Sequence, residues 1–189
     1  MSPTVTPARA IREYVEYLNL VLNTILTDSR LKAIQYGSHY AVDRYQGGGF
    51  LPLELSPRGF LHFRQFVHTV NAHIEVESYE YTHSLSADRD DEQAWVCRYN
   101  YEREPSNPER PHAHVHINAE GPDEWPITRT LRRTHFPTQR MSIEHLVWHV
   151  IGEGGARPKI PREDALKKLA FSYQGFAKRR TDFGLAIFP

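Results

Sequence analysis

Three histidines alternate in the segment Arg110-Pro-His-Ala-His-Val-His-Ile-Asn118: His112, His114 and His116. Imidazole is suited to proton transfer near neutral pH and to binding borderline metals. In a β-strand successive side chains point to opposite faces. The spacing therefore predicts Ala113, Val115 and Ile117 against a core and three imidazoles on the other face. Residues two apart on a strand are separated by roughly 6.5–7 Å. Convergence of all three on one metal or phosphate needs strand curvature, and two converge more readily than three. A zinc site needs ligands near 2 Å and, for catalysis, an open position. His135, His145 and His149 stand downstream and could complete such a set. The candidate catalytic residues are His112, His114 and His116. The candidate ligands of zinc or another divalent metal are the same three with His135. The plain alternative is a polar face on an exposed strand.

Arginines gather in sequence around this row: Arg98, Arg103, Arg110, Arg129, Arg132, Arg133 and Arg140. Arginine suits bidentate phosphate contacts, and interleaved tyrosines can stack bases. The candidate substrate-binding residues are Arg98, Asn100, Arg110 and Tyr99. Glu102, Glu104, Glu109, Glu120 and Glu124 interrupt the basic run, so ordinary solubility explains it equally well. His145 and His149 are four apart, a spacing that can grip a metal from one helix. Leu146 stands where the zinc-protease motif has glutamate, so that motif is absent and a solvated helix face is the plainer reading. There is no Walker-type loop, no Gly-x-Ser-x-Gly elbow and no paired-cysteine metal motif.

These residues need a scaffold. Thr6-Pro7 reads as an N-cap and first helical position, and Ile11, Tyr14, Val15, Leu18, Leu22, Ile25 and Leu26 recur at helical spacing. This predicts a helix over 7–28, which serves either packing or association with a partner or second copy. From Leu31 the period changes, with strands expected near 31–36, 50–55, 60–69, 73–83, 93–101, 111–118 and 127–131. Gly47-Gly-Gly49 is a turn or lip, and 134–138 a turn. Trp95, Cys97, Tyr99 and Tyr101 alternate, and if they face inward Arg98 and Asn100 share the face of the histidines. Ile143, Leu146, Val147, Val150 and Ile151 make a helix capped by Ser142. Pro161 opens a last helix closing at Lys178-Arg-Arg180, with Gly175 inside it.

The chain has 189 residues, enough for one good core and short for two. Lys+Arg and Asp+Glu are both 23, so no global charge draws it to nucleic acid or membrane. A single cysteine excludes an intrachain disulfide and fits a reducing compartment. With no secretory signal pattern and no apolar run near ~20 residues, a cytoplasmic protein outside the membrane is expected.

His112-Ala-His-Val-His116 resembles the motif of the histidine-triad nucleotide hydrolases and transferases, with Asn118 in place of a trailing apolar residue. That resemblance implies His114 as the nucleophile on a phosphate. Ile74-Glu-Val-Glu-Ser-Tyr-Glu-Tyr81, Trp95-Val-Cys-Arg-Tyr-Asn100 and Arg110-Pro-His-Ala-His-Val-His116 follow in order. Together, over about residues 59–118, they resemble the TumE-like family, assigned as toxin components of toxin–antitoxin pairs. Asn100 stands where that family has aspartate. The resemblance implies a toxin and, with it, a cognate antitoxin as partner.

The sequence thus predicts a single α+β domain over 1–189. A curved antiparallel meander spans 31–131, and helices at 7–28 and 142–180 pack on one face. It predicts a toxin-like protein acting on RNA or nucleotides by histidine-mediated phosphoryl transfer. His114 would be nucleophile or base, and Arg98 and Arg110 would stabilise phosphate charge. A non-catalytic protein-binding module and a zinc-dependent hydrolase are the alternatives.

Overall fold

The structure, a computed structural model, describes residues 6–57, 59–71, 73–118 and 134–178, with side chains to 175 in the last helix. The expected strand at 127–131 and Arg129, Arg132 and Arg133 lie outside the described residues.

Helix α1 (Pro7–Ile25) starts as its sequence dictates, with the Thr6 side chain accepting from the Arg9 amide and proline in the first turn. It ends three residues before the expected boundary. Asn19 turns the chain back by bonding both backbone groups of Leu31, at 2.7 and 3.0 Å. Ile11, Tyr14, Leu18, Leu22 and Ile25 are buried in the common core. The stripe offered above for a partner is thus spent on the chain's own sheet, and Leu20 is left exposed.

The strands are β1 (Lys32–Tyr36), β2 (His39–Asp43), β3 (Tyr45–Gln46), β4 (Gly49–Phe50), β5 (Leu53–Glu54), β6 (Phe60–Val70), β7 (His73–Ser84), β8 (Trp95–Glu102), β9 (Ala113–Ile117) and β10 (Phe136–Pro137). Eight of them form one open antiparallel sheet in the order β1-β2-β6-β7-β8-β9-β10, with β5 also paired to β6. The α+β meander expected from sequence is what forms.

Three local expectations need correction. Strand β2 was not anticipated, although Gly37-Ser38 is a two-residue hairpin signal and Gly37 has φ 60°. The span 50–55 is not one strand. Gly47 and Gly48 adopt φ 62° and 87°, the positive values a tight hairpin demands, and β4 pairs back onto β3. Finally, 136–137 is an edge strand where a turn was expected, and Pro137 fits an edge because it has no N–H to give a further strand.

One sheet face builds the core. Phe63, Tyr81, Tyr79 and Tyr101 stack in turn across β6, β7 and β8, with centroids 4.7, 4.4 and 5.4 Å apart. The Arg140 guanidinium lies 4.8 Å from the Tyr101 ring centre. Buried hydroxyls need partners. Tyr14 donates to Gln65 Oε1 at 2.8 Å, and Gln65 in turn donates to the Tyr81 oxygen. A bulge keeps this face in phase. Phe66 pairs Ser78 while Val67 pairs Val76, so Glu77 is the extra residue. Ile74 and Val76 before it and Tyr79 and Tyr81 after it all remain buried.

Helices α2 (Ile143–Gly152) and α3 (Arg162–Lys178) cover the same face with α1. The buried Glu144 joins all three, accepting from the Tyr17 hydroxyl and from Ser172 Oγ. No helix among the described residues is long and apolar enough to cross a membrane.

A candidate metal centre on the outer sheet face

The opposite face of the sheet is polar and starts from a buried charge. Asp43 is fully buried, with Arg64 Nε at 3.2 Å and Arg89 Nη2 at 3.3 Å on one carboxylate oxygen. Burial pushes the Asp43 carboxyl up, against the pull of Arg89 and Arg64. Cross-strand register then carries two rows of side chains over the face. One runs Asp43, Arg64, Glu80, Asn100, His114, and the next runs His62, Thr82, Arg98, His116. Direct partners share a face. Arg98 and Asn100 therefore stand beside the histidine row, as the alternation of Tyr99 and Tyr101 predicts.

Strand β10 completes the row. Pro137 pairs His114 and Phe136 pairs Val115, and the Thr138 amide donates to the Ala113 carbonyl at 2.9 Å. This brings His135 over β9. The ring centroids of His114, His116 and His135 lie 5.1, 4.7 and 4.4 Å apart, taken pairwise. One ligand nitrogen from each can be chosen so that all three lie within 4.8 Å of one another. Around a tetrahedral ion with Zn–N bonds near 2.0–2.1 Å the donors sit about 3.3 Å apart, so small ring rotations close the set.

Protonation favours ligation. His114 Nδ1 lies 3.0 Å from the Pro111 carbonyl, which can only accept, so Nδ1 carries a proton and Nε2 is the nitrogen turned to the centre for ligation. A ligating histidine characteristically makes such a bond with its other nitrogen. Burial first, then His135, His114, Arg98 and Arg110, bring the His116 imidazole down to about 4. Burial, followed by His114 and Arg110, also lowers His135. Both are neutral near pH 7. His135 Nδ1 is buried without a hydrogen-bond partner.

The other expected site residues divide clearly. His112 is exposed at the strand entry, with Nδ1 3.1 Å from the Glu102 carbonyl, and is not one of the converging three. Arg110 is exposed, yet its charge reaches His116 and His135. Arg98 lies 5.4 Å from the Trp95 ring centre, and its Nε is buried without a partner. Asn100 Oδ1 is likewise buried and unpartnered. Tyr99 points to the other face, where it is buried with its ring 5.8 Å from that of His149. There it lines a cavity of about 510 Å³ with His83, Cys97, His145 and His149. The helix pair His145 and His149 therefore belongs to that side of the sheet.

Sequence reasoning did not single out Thr82. It is buried, its hydroxyl has no partner, and it stands directly across from Arg98. A threonine in a strand carries no local signal of such a role, and only the register supplies it. No family model matches the chain, and comparison with curated proteins and with solved structures finds no match.

Proposed function

We propose that the chain is a zinc-dependent hydrolase of phosphate esters, acting on RNA or nucleotides, with His114, His116 and His135 as the metal ligands. The observation that carries this reading is the convergence of three imidazoles on one point of the outer face. Three imidazole nitrogens suit zinc among the common divalent ions. Bound there, zinc would keep one position for water and lower that water's pKa to about 7.

The chain's own residues supply the rest. The Pro111 carbonyl fixes the tautomer and orientation of His114. Arg98 and Arg110 place positive charge beside the centre, where a phosphate oxygen gains charge in the transition state. Asn100 and Thr82 offer unspent hydrogen-bonding atoms next to Arg98 and His114. An imidazole that ligates a metal is not free to attack phosphorus. This reading therefore replaces His114 as nucleophile with His114 as ligand.

The test is hydrolysis of a single-stranded RNA and of nucleoside triphosphates by the purified chain, stripped of metal and then given zinc. Zinc-dependent cleavage that His135→Ala abolishes is expected. Zinc-loaded protein that leaves both substrates intact would overturn the proposal. The toxin setting rests on the likeness over residues 59–118. It predicts growth arrest of a bacterial host on induction of the wild type and none with an equally expressed, soluble His114→Ala variant. A cognate antitoxin and a cytoplasmic location belong to that same setting.

A further inference from the structure

We infer that His39, His68 and Glu77 form a second site for a divalent metal ion of the zinc class, independent of the three-histidine centre. These residues sit on the outer face near the β1–β2 edge. His39 and His68 are direct cross-strand partners on β2 and β6, and His68 is in turn opposite Glu75 on β7. Glu77 is the extra residue of the β7 bulge. One ligand atom from each of His39, His68 and Glu77 can be chosen within a mutual 4.8 Å.

Both imidazoles reach the Glu77 carboxylate. His39 Nδ1 is 2.8 Å from Glu77 Oε2, and His68 Nδ1 is 3.1 Å from Glu77 Oε1. Ligands at about 2.0–2.2 Å from a tetrahedral ion stand roughly 3.3 Å from each other. A simple hydrogen bond accounts for His39, whose geometry satisfies one. It does not account for His68. That Nδ1 is buried against the carboxylate and makes no hydrogen bond, so an imidazole nitrogen faces an anion without a proton aligned between them. A cation between the two removes the mismatch.

The outer nitrogen of His68 carries the complementary feature. His68 Nε2 faces Glu75 Oε2 at 3.5 Å, and Arg103 Nη1 holds that same oxygen at 2.5 Å. The Arg103 amide also donates to the Glu77 carbonyl at 2.8 Å. Glu75 thus stands where the carboxylate of a carboxylate–histidine–metal arrangement stands, placed to take the proton of the non-ligating nitrogen and set the ring. Two imidazoles and one carboxylate select zinc or a neighbouring transition metal over calcium or magnesium, which prefer all-oxygen shells. The site is partly exposed, so an ion can reach it.

Zinc titration of the metal-free full chain, followed by calorimetry, decides the matter. The wild type should take two equivalents, and a His114→Ala/His135→Ala chain one. Adding His68→Ala should remove that last equivalent. Glu75→Gln in the same background should weaken it by about 10–100-fold, as loss of an orienting carboxylate does. The inference is overturned if the double variant binds no zinc, or if His68→Ala leaves its equivalent in place. Should His68→Ala fail to fold by circular dichroism, His39→Gln and Glu77→Gln take its place. Each should then weaken zinc at least 10-fold, and unchanged affinity would overturn the site. A wild type that loses all its zinc through His68→Ala alone would keep this site and remove the other.

Discussion

His116 and His135 stand ring to ring, 4.4 Å between centroids, one on β9 and the other just before β10, which pairs β9 through Phe136 and Pro137. Their closeness comes with β10 seating against β9. Removing His135 should therefore cost metal and little else. His135→Ala should lower zinc affinity by on the order of 100-fold or more, since even outer-sphere partners are worth 10–100-fold. Competition with a chromophoric chelator reads this directly. Equal affinities for variant and wild type would exclude His135 as a ligand.

Arg98 should act on turnover and leave metal binding alone. Arg98 is the direct cross-strand partner of His116, with Nε unspent. Arg98→Ala should retain zinc and lose roughly 10²–10³-fold in kcat/KM on a phosphate ester, the usual effect of deleting one preorganised donor. Arg98→Lys should restore little of it, because lysine lacks the planar fork. Full activity in the alanine variant would remove Arg98 from the site.

Two glycines should respond in opposite directions to alanine. A Cβ at Gly154 would lie 2.8 Å from the Val150 carbonyl and 2.9 Å from the buried His83 ring. Gly154→Ala should destabilise the chain by about 1–3 kcal/mol, the range for overpacking. Gly175 lies inside α3 with nothing within 4 Å of its would-be Cβ. Gly175→Ala should stabilise by up to ~1 kcal/mol. Urea midpoints of the two variants against wild type provide the comparison.

The tyrosine core should make the fold sensitive to alkali. Burial pushes Tyr14 and Tyr79 up to about 12 and Tyr81 well above its ordinary value. In the unfolded chain tyrosines ionise near pH 10. The unfolded state thus releases protons first, and stability falls as pH rises between about 10 and 12. Thermal midpoints should decline over that range while tyrosinate absorbance lags that of the urea-unfolded chain. A melting point flat to about pH 12 would contradict the burial of these hydroxyls.

Much of this was legible in the chain because side-chain period and chemistry agree. The histidine alternation, the inward tyrosines of β8 and the apolar stripes of α1 and α2 each report a face. Face assignment alone places Arg98 and Asn100 beside His114 and His116. What was not legible depends on pairing between distant segments. Nothing local in Thr134-His-Phe-Pro-Thr138 announces a strand, and Pro137 narrows one to an edge only once the pairing with β9 is known. Tyr99 was drawn toward the site by its neighbours, while its own parity sends it to the core. The grouping of His39, His68 and Glu77 joins three strands and one bulge, which no spacing rule reads.

The bulge at Glu77 also governs how the length of this protein can vary. Deleting one residue there, or adding one between it and Ser84, would exchange the faces of everything that follows on the strand. Tyr79, Tyr81 and His83 would turn to solvent, and Ser78, Glu80 and Thr82 would turn toward the helices. Changes of length in β7 are therefore tolerable only in pairs, whereas a change in the turns at 85–94 or 103–111, away from Arg89, Arg103 and Pro111, leaves the strand faces as they are. In any set of related chains, alignment gaps should fall in those turns and be absent, or even in length, between His73 and Ser84.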